Sequence, residues 1–77
     1  MSRYYEYIGR VLKEAREKKN YTQQYVADKT GISRATYSHF EMGITVISIN
    51  TWFKLTEILD IDAYQAMREA QRYEAKG

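Results

Sequence analysis

The stretch that decides the fold is residues 21–43, which read YTQQYVADKTGISRATYSHFEMG. Thr22 and Ser33 each precede a run of residues compatible with a helix, and their hydroxyls suit the N-cap position. Gly31 and Gly43 end these runs, because glycine readily takes the left-handed conformation that follows many helices. One residue lies between Gly31, which ends the first run, and Ser33, which caps the second. Two short helices joined by so tight a turn are typical of the helix-turn-helix arrangement.

Helical periodicity continues on both sides of this stretch. Before it, apolar residues at offsets of 3, 4 and 3 predict a helix over residues 4–18: Tyr5, Ile8, Leu12 and Ala15. After it, Ser48 can cap a helix over residues 49–59, and Asp62 can cap a last helix over residues 63–74. The sequence therefore predicts an all-α fold of five helices, with the helix-turn-helix at about residues 22–42, in one domain spanning residues 1–77.

The composition is that of a small globular domain. The chain has 77 residues, of which 44% are hydrophobic, and it contains no Cys, so neither a disulfide nor a thiolate zinc site is expected. His39 is the only histidine, which leaves no usual zinc ligand set, and we expect neither metal nor cofactor. Residues 44–49 form the longest near-apolar stretch, far short of the roughly 20 residues of a membrane span. No secretory signal opens the chain, so the expected compartment is the cytoplasm.

Charge is distributed unevenly along the chain. Residues 1–34 hold eight Lys or Arg and four Asp or Glu, a net charge of +4, whereas residues 35–77 hold four and six, a net charge of −2. A basic half of a small domain can face nucleic-acid phosphates. An ordinary solvated surface of mixed charge explains the same numbers, so charge alone does not choose between the two readings.

With its five predicted helices placed in this way, the chain resembles the lambda-repressor/Cro-like (XRE-type) helix-turn-helix regulators over about residues 8–67. The resemblance rests on features at the family's spacing: the Thr22-Gln23 opening, Ala27, Gly31, Ile32-Ser33-Arg34, and Phe40-Glu41-x-Gly43. It implies a DNA-binding transcriptional regulator that is not an enzyme, a repressor of phage, plasmid or mobile-element type. The expected partner is double-stranded DNA with a pseudo-palindromic operator, bound by a homodimer on half-sites about 34–36 Å apart.

The second helix of the motif presents the candidate base-reading residues. Its apolar positions, with those of the preceding helix and turn, are expected to face the core: Val26, Ile32, Tyr37 and Phe40. This leaves a face of small and hydrogen-bonding side chains for base contacts: Arg34, Ala35, Thr36, Ser38 and His39. Arginine can donate to guanine O6 and N7, hydroxyls bond to several base edges, and a methyl group can touch thymine. The alternative is an ordinary polar surface helix, and for His39 simple exposure weighs equally.

Other positions are candidates for the DNA backbone. Most lie at helix starts, where free N–H groups favour phosphate: Gln23, Gln24, Ser48 and Asn50. The resemblance implies that Gln23, in preference to Gln24, contacts a phosphate and that it also braces the third helix. It further implies a partly buried ion pair between Arg16 and Glu41, which joins the first helix to the end of the third. We interpret this pair mainly as a scaffold contact, with Arg16 also able to share a donor with a phosphate.

The last helix and the loop after residue 43 bear on oligomerisation. Three residues of the last helix are predicted to form the dimer interface: Met67, Ala70 and Tyr73. The alternative is that this helix folds back on the N-terminal tyrosines of its own chain: Tyr4, Tyr5 and Tyr7. The loop over residues 44–47 is apolar and uncharged where the family often carries Lys or Arg and then Pro, which removes an expected phosphate contact and is consistent with packing in a dimer.

Two rival functions follow from the same residues. An antitoxin-like or other protein-interaction module would use the fold as a scaffold, and the uncharged loop and apolar last helix favour it. A steep salt dependence of DNA binding would separate it from a DNA reader. A small enzyme has no support, because the sequence offers one histidine, no cysteine and no carboxylate pair at a recognisable spacing.

Overall fold

A computed structural model describes residues 2–76, and within that range the chain forms five α-helices. These are α1 (Arg3–Lys18), α2 (Gln23–Thr30), α3 (Arg34–Met42), α4 (Ile49–Leu59) and α5 (Ala63–Lys76). The all-α fold and the limits of the helix-turn-helix are therefore confirmed. The first helix begins one residue earlier than predicted and the last runs two residues further.

Side-chain caps fix where the helices begin. The hydroxyls of Thr22, Ser33 and Ser48 each accept a hydrogen bond from the backbone N–H three residues on. Ser2 caps α1 in the same way, and Asp62 Oδ1 accepts from the N–H of Gln65 at 3.0 Å. Each such cap satisfies one of the N–H groups that a helix start leaves unpaired and contributes about 1 kcal/mol.

A residue with left-handed backbone conformation lies at or just after the end of each of the first four helices. Gly31 and Gly43, which end α2 and α3, both have φ of 73°, a value that costs glycine nothing. Asn20 and Asp60 take the same region at φ of 59° and 60° after α1 and α4. Asparagine and aspartate tolerate this conformation better than other residues with a Cβ, so the chain turns there without glycine.

The core lies where α1 meets α3 and α5, and where α2 meets α3 and α4. Its fully buried side chains come from four helices: Ile8, Leu12, Val26, Tyr37, Leu55 and Leu59. Burying one such aliphatic side chain stabilises a fold by about 1.5–3 kcal/mol. Ala27 is also fully buried in α2, so a larger side chain there would have to displace its neighbours. This packing holds α2 and α3 in one fixed orientation against α1.

Candidate nucleic-acid interface

Helix α3 divides into a buried face and an exposed face. Tyr37 and Phe40 are 0% and 6% exposed and pack into the core. Four of the five predicted base-reading residues are exposed, and Ser38 is half-buried: Arg34, Ala35, Thr36, Ser38 and His39. The exposed face therefore combines a guanidinium, a methyl group, hydroxyls and an imidazole. These are groups that can contact base edges in a major groove.

Two hydroxyls at the beginning of α3 are tied to each other. Ser33, the N-cap, donates from its Oγ to Thr36 Oγ1 at 2.8 Å and accepts from the Thr36 N–H at 3.0 Å. One turn later, Ser38 Oγ lies 3.9 Å from the sulfur of Met42. Thr36 is thus held in one orientation by the cap, whereas the side chain of Arg34 extends into solvent from the first turn.

The candidate backbone contacts lie at two helix starts. Gln24, exposed in the first turn of α2, donates from Nε2 to Asp28 Oδ1 at 2.8 Å. Ser48 caps α4, where its Oγ donates to Thr51 Oγ1 at 3.0 Å, and Asn50 is exposed in the first turn of the same helix. Both helix starts carry the positive end of a helix dipole, which favours a nearby anion. Contact with phosphate at these positions stays a prediction.

The ion pair between Arg16 and Glu41 is present and joins α1 to the end of α3. Arg16 Nε lies 2.6 Å from Glu41 Oε2, and its side chain and that of Glu41 are only 14% and 4% exposed. A second guanidinium nitrogen donates to Glu41 Oε1 at 3.2 Å, and the third donates to the backbone carbonyl of Tyr21 at 2.9 Å. Gln23 Nε2 also donates to Glu41 Oε1, at 3.0 Å. One carboxylate therefore links α1, α2 and α3.

Burial and hydrogen bonding together shift the pKa values of the side chains in this contact. Burial works to raise the pKa of Glu41, but hydrogen bonds from Arg16 and Gln23 outweigh it and hold that pKa below its ordinary value. The hydrogen bond to Glu41 likewise raises the pKa of Arg16. Beside them, burial raises the pKa of the fully buried Tyr37 phenol, and the charge of Glu41 adds to the effect. At neutral pH the pair is therefore ionised and Tyr37 is neutral.

The hydrogen bonds that Arg16 makes within the protein limit the contact that it could make with the DNA backbone. All three of its nitrogens already donate within the protein, and its side chain is mostly buried. Two N–H groups are left for another acceptor, because a guanidinium has five. The structure thus shows Arg16 as a brace for α3, and a phosphate contact by it remains a prediction.

Three basic residues of the N-terminal half contact aromatic rings. Arg3 and Arg10 lie over the ring of Tyr73, with guanidinium carbons 4.3 Å and 5.0 Å from its centre. Lys29 lies over the Tyr25 ring in α2, with its Nζ 5.5 Å from the ring centre. These three side chains keep their charge and remain exposed to solvent.

The prediction that Ala70 lies in a dimer interface is wrong. Ala70 is 0% exposed, because α5 packs along α1 within the same chain and covers it. Met67 and Tyr73 are half-buried against that helix, and the Tyr73 ring lies 5.5 Å from the ring of Tyr7. These three residues form no exposed apolar stripe. The alternative, in which the last helix folds back on its own N-terminal tyrosines, describes the arrangement of α5.

One residue that matters for the position of α3 was missed by the sequence analysis. Gly9 is buried in α1, and a Cβ built on it would lie 2.5 Å from the carbonyl oxygen of Glu41 and 2.8 Å from that of Phe40. Only glycine lets the backbones of α1 and α3 approach so closely. The available signal was a single Gly inside an otherwise regular helical pattern, which often marks a packing requirement.

Within residues 2–76, no group of three or more His, Cys, Asp or Glu is placed to hold a metal ion. Over the same residues, no helix is both long and apolar enough to cross a membrane.

The fold and the exposed face of α3 define a helix-turn-helix protein, and comparison with known proteins identifies the family. The helix-turn-helix family model matches residues 12–64, which include α2, α3 and α4 in full. The chain belongs to this XRE-type helix-turn-helix family, and two of the relatives it matches are named as HTH-type transcriptional regulators.

Three relatives show the extent of the similarity. The chain is 40% identical over 50 residues to YqaE, an uncharacterized HTH-type transcriptional regulator of Bacillus subtilis, covering 65% of this chain and 43% of that protein. It is 35% identical over 65 residues to the HTH-type transcriptional regulator AnsR of the same species, covering 83% and 56%. It is 34% identical over 68 residues to the antitoxin HipB of Escherichia coli, covering 82% and 72%. The chain spans about half the length of the two Bacillus relatives.

Proposed function

We propose that this chain binds a specific sequence of double-stranded DNA by inserting α3 into the major groove, and that it regulates transcription as a repressor of phage, plasmid or mobile-element type. The observation that carries this proposal is the division of α3. Tyr37 and Phe40 anchor one face in the core, while Arg34, Thr36 and His39 are exposed on the other. A helix fixed on one side and polar on the other is suited to reading base edges.

The surrounding residues supply the positioning that base reading requires. Glu41, held by Arg16 and Gln23, fixes the end of α3 relative to α1 and α2. In the proposed complex, Gln24 and Asn50 contact phosphates at the starts of α2 and α4. Such contacts set register and orientation but carry no sequence information. Specificity then depends on Arg34, which we place on guanine, and on the smaller exposed side chains near it.

The proposed regulator acts as a homodimer in the cytoplasm. One helix such as α3 reads only a few base pairs, so useful specificity needs two copies on one operator. A two-fold pair matches a pseudo-palindromic operator, with half-sites about 34–36 Å apart, one turn of the duplex.

Selection of bound duplexes from random DNA, followed by gel shifts at increasing salt, tests the proposal. We expect a preferred inverted repeat, and an affinity that falls steeply and linearly on logarithmic axes as bound counterions are released. A protein that enriches no sequence, or whose weak binding is insensitive to salt, would contradict it.

A second candidate function is that of an antitoxin-like protein whose main partner is another protein. It is favoured by the similarity to the antitoxin HipB, which extends over 72% of that protein. It is also favoured by residues 42–53, which contain no charged side chain. This candidate predicts weak and unselective DNA binding by the chain alone, so the same selection experiment distinguishes it from the first.

A further inference from the structure

A groove opens between the beginning of α1, the beginning of α4 and the side of α5. Its volume is about 130 Å³, and its walls include Tyr4, Tyr5, Ile47, Ile49, Trp52 and Met67. For comparison, an apolar cavity of about 150 Å³ takes up benzene. The groove is therefore large enough for a single ring with a short substituent, and its walls have no role in the proposed reading of DNA.

Trp52, in the wall of this groove, carries a hydrogen-bond donor without an acceptor. The residue is 4% exposed. Among the residues that the structure describes, no acceptor lies within hydrogen-bonding distance of its Nε1, and this atom is shielded from solvent. A buried indole N–H usually has a partner, because without one the bond that it makes to water in the unfolded chain is not replaced. An acceptor brought by another molecule would remove this cost.

The lining residues also restrict the charge of a molecule that binds here. None of them is charged, so an ion that entered the groove would lose water without gaining an opposite charge. The size of the groove, the unpaired donor and the lack of charge together define one class of ligand. It is a neutral molecule with one small ring and one oxygen that accepts a hydrogen bond.

We propose that the groove binds a ligand of this class, with its ring between α1 and α4 and its oxygen accepting a hydrogen bond from the Trp52 N–H. Because this N–H is shielded in the free protein, a side chain in the wall has to move when the ligand enters. Met67 is suited to this movement, since it is half-buried and its unbranched side chain changes rotamer easily.

The site adjoins the residues predicted to contact the DNA backbone at the start of α4. Ile47 and Ile49, both in the groove wall, flank Ser48, the N-cap of α4, and Asn50 follows. A ligand that displaces these isoleucines therefore displaces the start of α4 from its phosphate, so the ligand is an effector that weakens DNA binding. This regulatory role rests on the proposed function, whereas the ligand site itself does not.

Nuclear magnetic resonance of the free protein tests the ligand site. The probe is acetophenone, a neutral ring with one carbonyl, and its control is ethylbenzene, which has a similar shape and no acceptor. The chain has one tryptophan, so a single indole N–H signal reports on Trp52. We expect acetophenone to move this signal downfield and to saturate it with a Kd on the order of 1 mM or below. Ethylbenzene should not cause the downfield shift that a hydrogen bond produces.

Trp52→Phe tests the donor, because it removes the N–H and keeps an aromatic ring. The ratio of the affinities for acetophenone and ethylbenzene should fall about fivefold or more in this variant, since only acetophenone loses a hydrogen bond. Backbone amide signals of α4 report both affinities, and ethylbenzene corrects for any change in the shape of the groove.

Ile49→Ala tests the wall and does not depend on the folding of Trp52→Phe. It should weaken the binding of both ligands, because it removes apolar contacts from one side of the groove. The matched control is Val46→Ala, which shortens an exposed apolar side chain of the preceding loop. Val46→Ala should bind both ligands as the unmodified protein does.

Gel shifts test the effect on DNA, with a duplex selected from random DNA by the unmodified protein. Saturating acetophenone should weaken binding to this duplex about fivefold or more, and the duplex should weaken the binding of acetophenone by the same factor. Ile49→Ala should show a smaller effect at the same concentration of acetophenone.

The outcomes separate the ligand site from the proposed function. An indole signal that does not saturate up to the solubility limit of acetophenone, or an equal loss of both ligands in Trp52→Phe, would overturn the site. Bound acetophenone that left DNA binding unchanged would overturn its role as an effector. If selection yields no duplex, the proposed function fails, while the resonance measurements still decide whether the groove binds the ligand.

Discussion

Two polar clusters fasten distant parts of the chain to α1, and they differ in burial. The α1–α3 cluster consists of Arg16, Gln23 and Glu41, with a short ion pair between side chains that are at most 14% exposed. The α1–α5 cluster consists of Arg3, Tyr7, Arg10, Glu69 and Tyr73, at the opposite end of α1. It contains cation–π contacts at 4.3–5.9 Å and a 2.8 Å hydrogen bond from the Tyr7 hydroxyl to Glu69.

The difference in burial means that similar polar contacts contribute unequally to the stability of the fold in the two clusters. Around Glu41, water cannot replace a lost partner, so removal of one group leaves another buried and uncompensated. Around Tyr73, solvent and salt screen the charges, and each contact contributes little alone. The first cluster therefore fixes the orientation of α3, whereas the second adjusts how firmly α5 lies on α1. The substitutions that follow test this contrast.

The largest effect is expected from Gly9→Ala, which acts on the backbone contact beneath the α1–α3 cluster. The added methyl group would lie 2.5 Å from the Glu41 carbonyl oxygen, which cannot move without shifting α3. We expect the free energy of unfolding to fall by about 3 kcal/mol or more, at the upper end of overpacking effects. Thermal and urea denaturation measure it, with Lys13→Ala on the exposed side of α1 as the control. Stability equal to that of the control would mean that α1 and α3 are not in such close contact.

Glu41→Ala should have the second-largest effect on the free energy of unfolding. It leaves the Arg16 guanidinium and the Gln23 amide without the carboxylate that accepts their hydrogen bonds. We expect a loss of about 2–3 kcal/mol, somewhat less than for a fully buried pair. A double-mutant cycle with Arg16→Ala isolates the coupling between the two residues. A coupling energy near zero would show that the pair does not stabilise the fold.

Acidification should weaken the protein through the same carboxylate. The pKa of Glu41 is lower in the folded protein than its ordinary value of 4.5, so the unfolded state takes up a proton first as the pH falls. The stabilisation is present above pH 4.5 and is lost as the pH drops through the folded pKa. Denaturation at pH 7 and pH 3 should therefore show a larger loss for the unmodified protein than for Glu41→Gln.

Glu69 supplies the comparison for this pH effect. Its pKa is also lowered, chiefly by the hydrogen bond from Tyr7, but it lies at the surface. Glu69→Gln should therefore keep most of the acid sensitivity of the unmodified protein. If Glu69→Gln removed that sensitivity and Glu41→Gln did not, the contrast between the two clusters would be reversed.

Tyr73→Ala is expected to have the smallest effect on stability. It removes the ring that Arg3 and Arg10 share and its contact with Tyr7. We expect a loss of about 1 kcal/mol, which diminishes at high salt. Hydrogen exchange should show the change mainly at the end of α5, with Gln71→Ala as the control. A loss as large as that of Glu41→Ala would mean that the surface cluster is part of the core.

Local signals made most of the fold predictable from the sequence. Thr22, Ser33 and Ser48 were identified as caps because hydroxyl capping depends only on a few neighbouring residues, and Gly31 and Gly43 likewise marked the ends of α2 and α3. The pairing of Arg16 with Glu41 came from the family resemblance, since residues 25 positions apart give no local signal of contact.

The errors concern packing between elements distant in sequence. The apolar stripe of α5 has the same periodicity whether it faces α1 or another chain, so spacing could not show that Ala70 is covered from within. Nor could it show the role of Gly9, which depends on how closely α3 approaches α1. The cation–π contacts of Arg3 and Arg10 are likewise invisible in a tally of charges.

The central claim, that the exposed face of α3 reads DNA sequence, is tested most directly by repeating the selection from random DNA with Arg34→Ala. Gln24→Ala is the control, because phosphate contacts carry no sequence information. The account predicts that Arg34→Ala loses its preference at one base pair of each half-site and about 1–3 kcal/mol of affinity for the original duplex. Gln24→Ala should keep every preference and bind all sequences more weakly. Unchanged preference and affinity in Arg34→Ala would contradict the assignment of α3 as the reading helix.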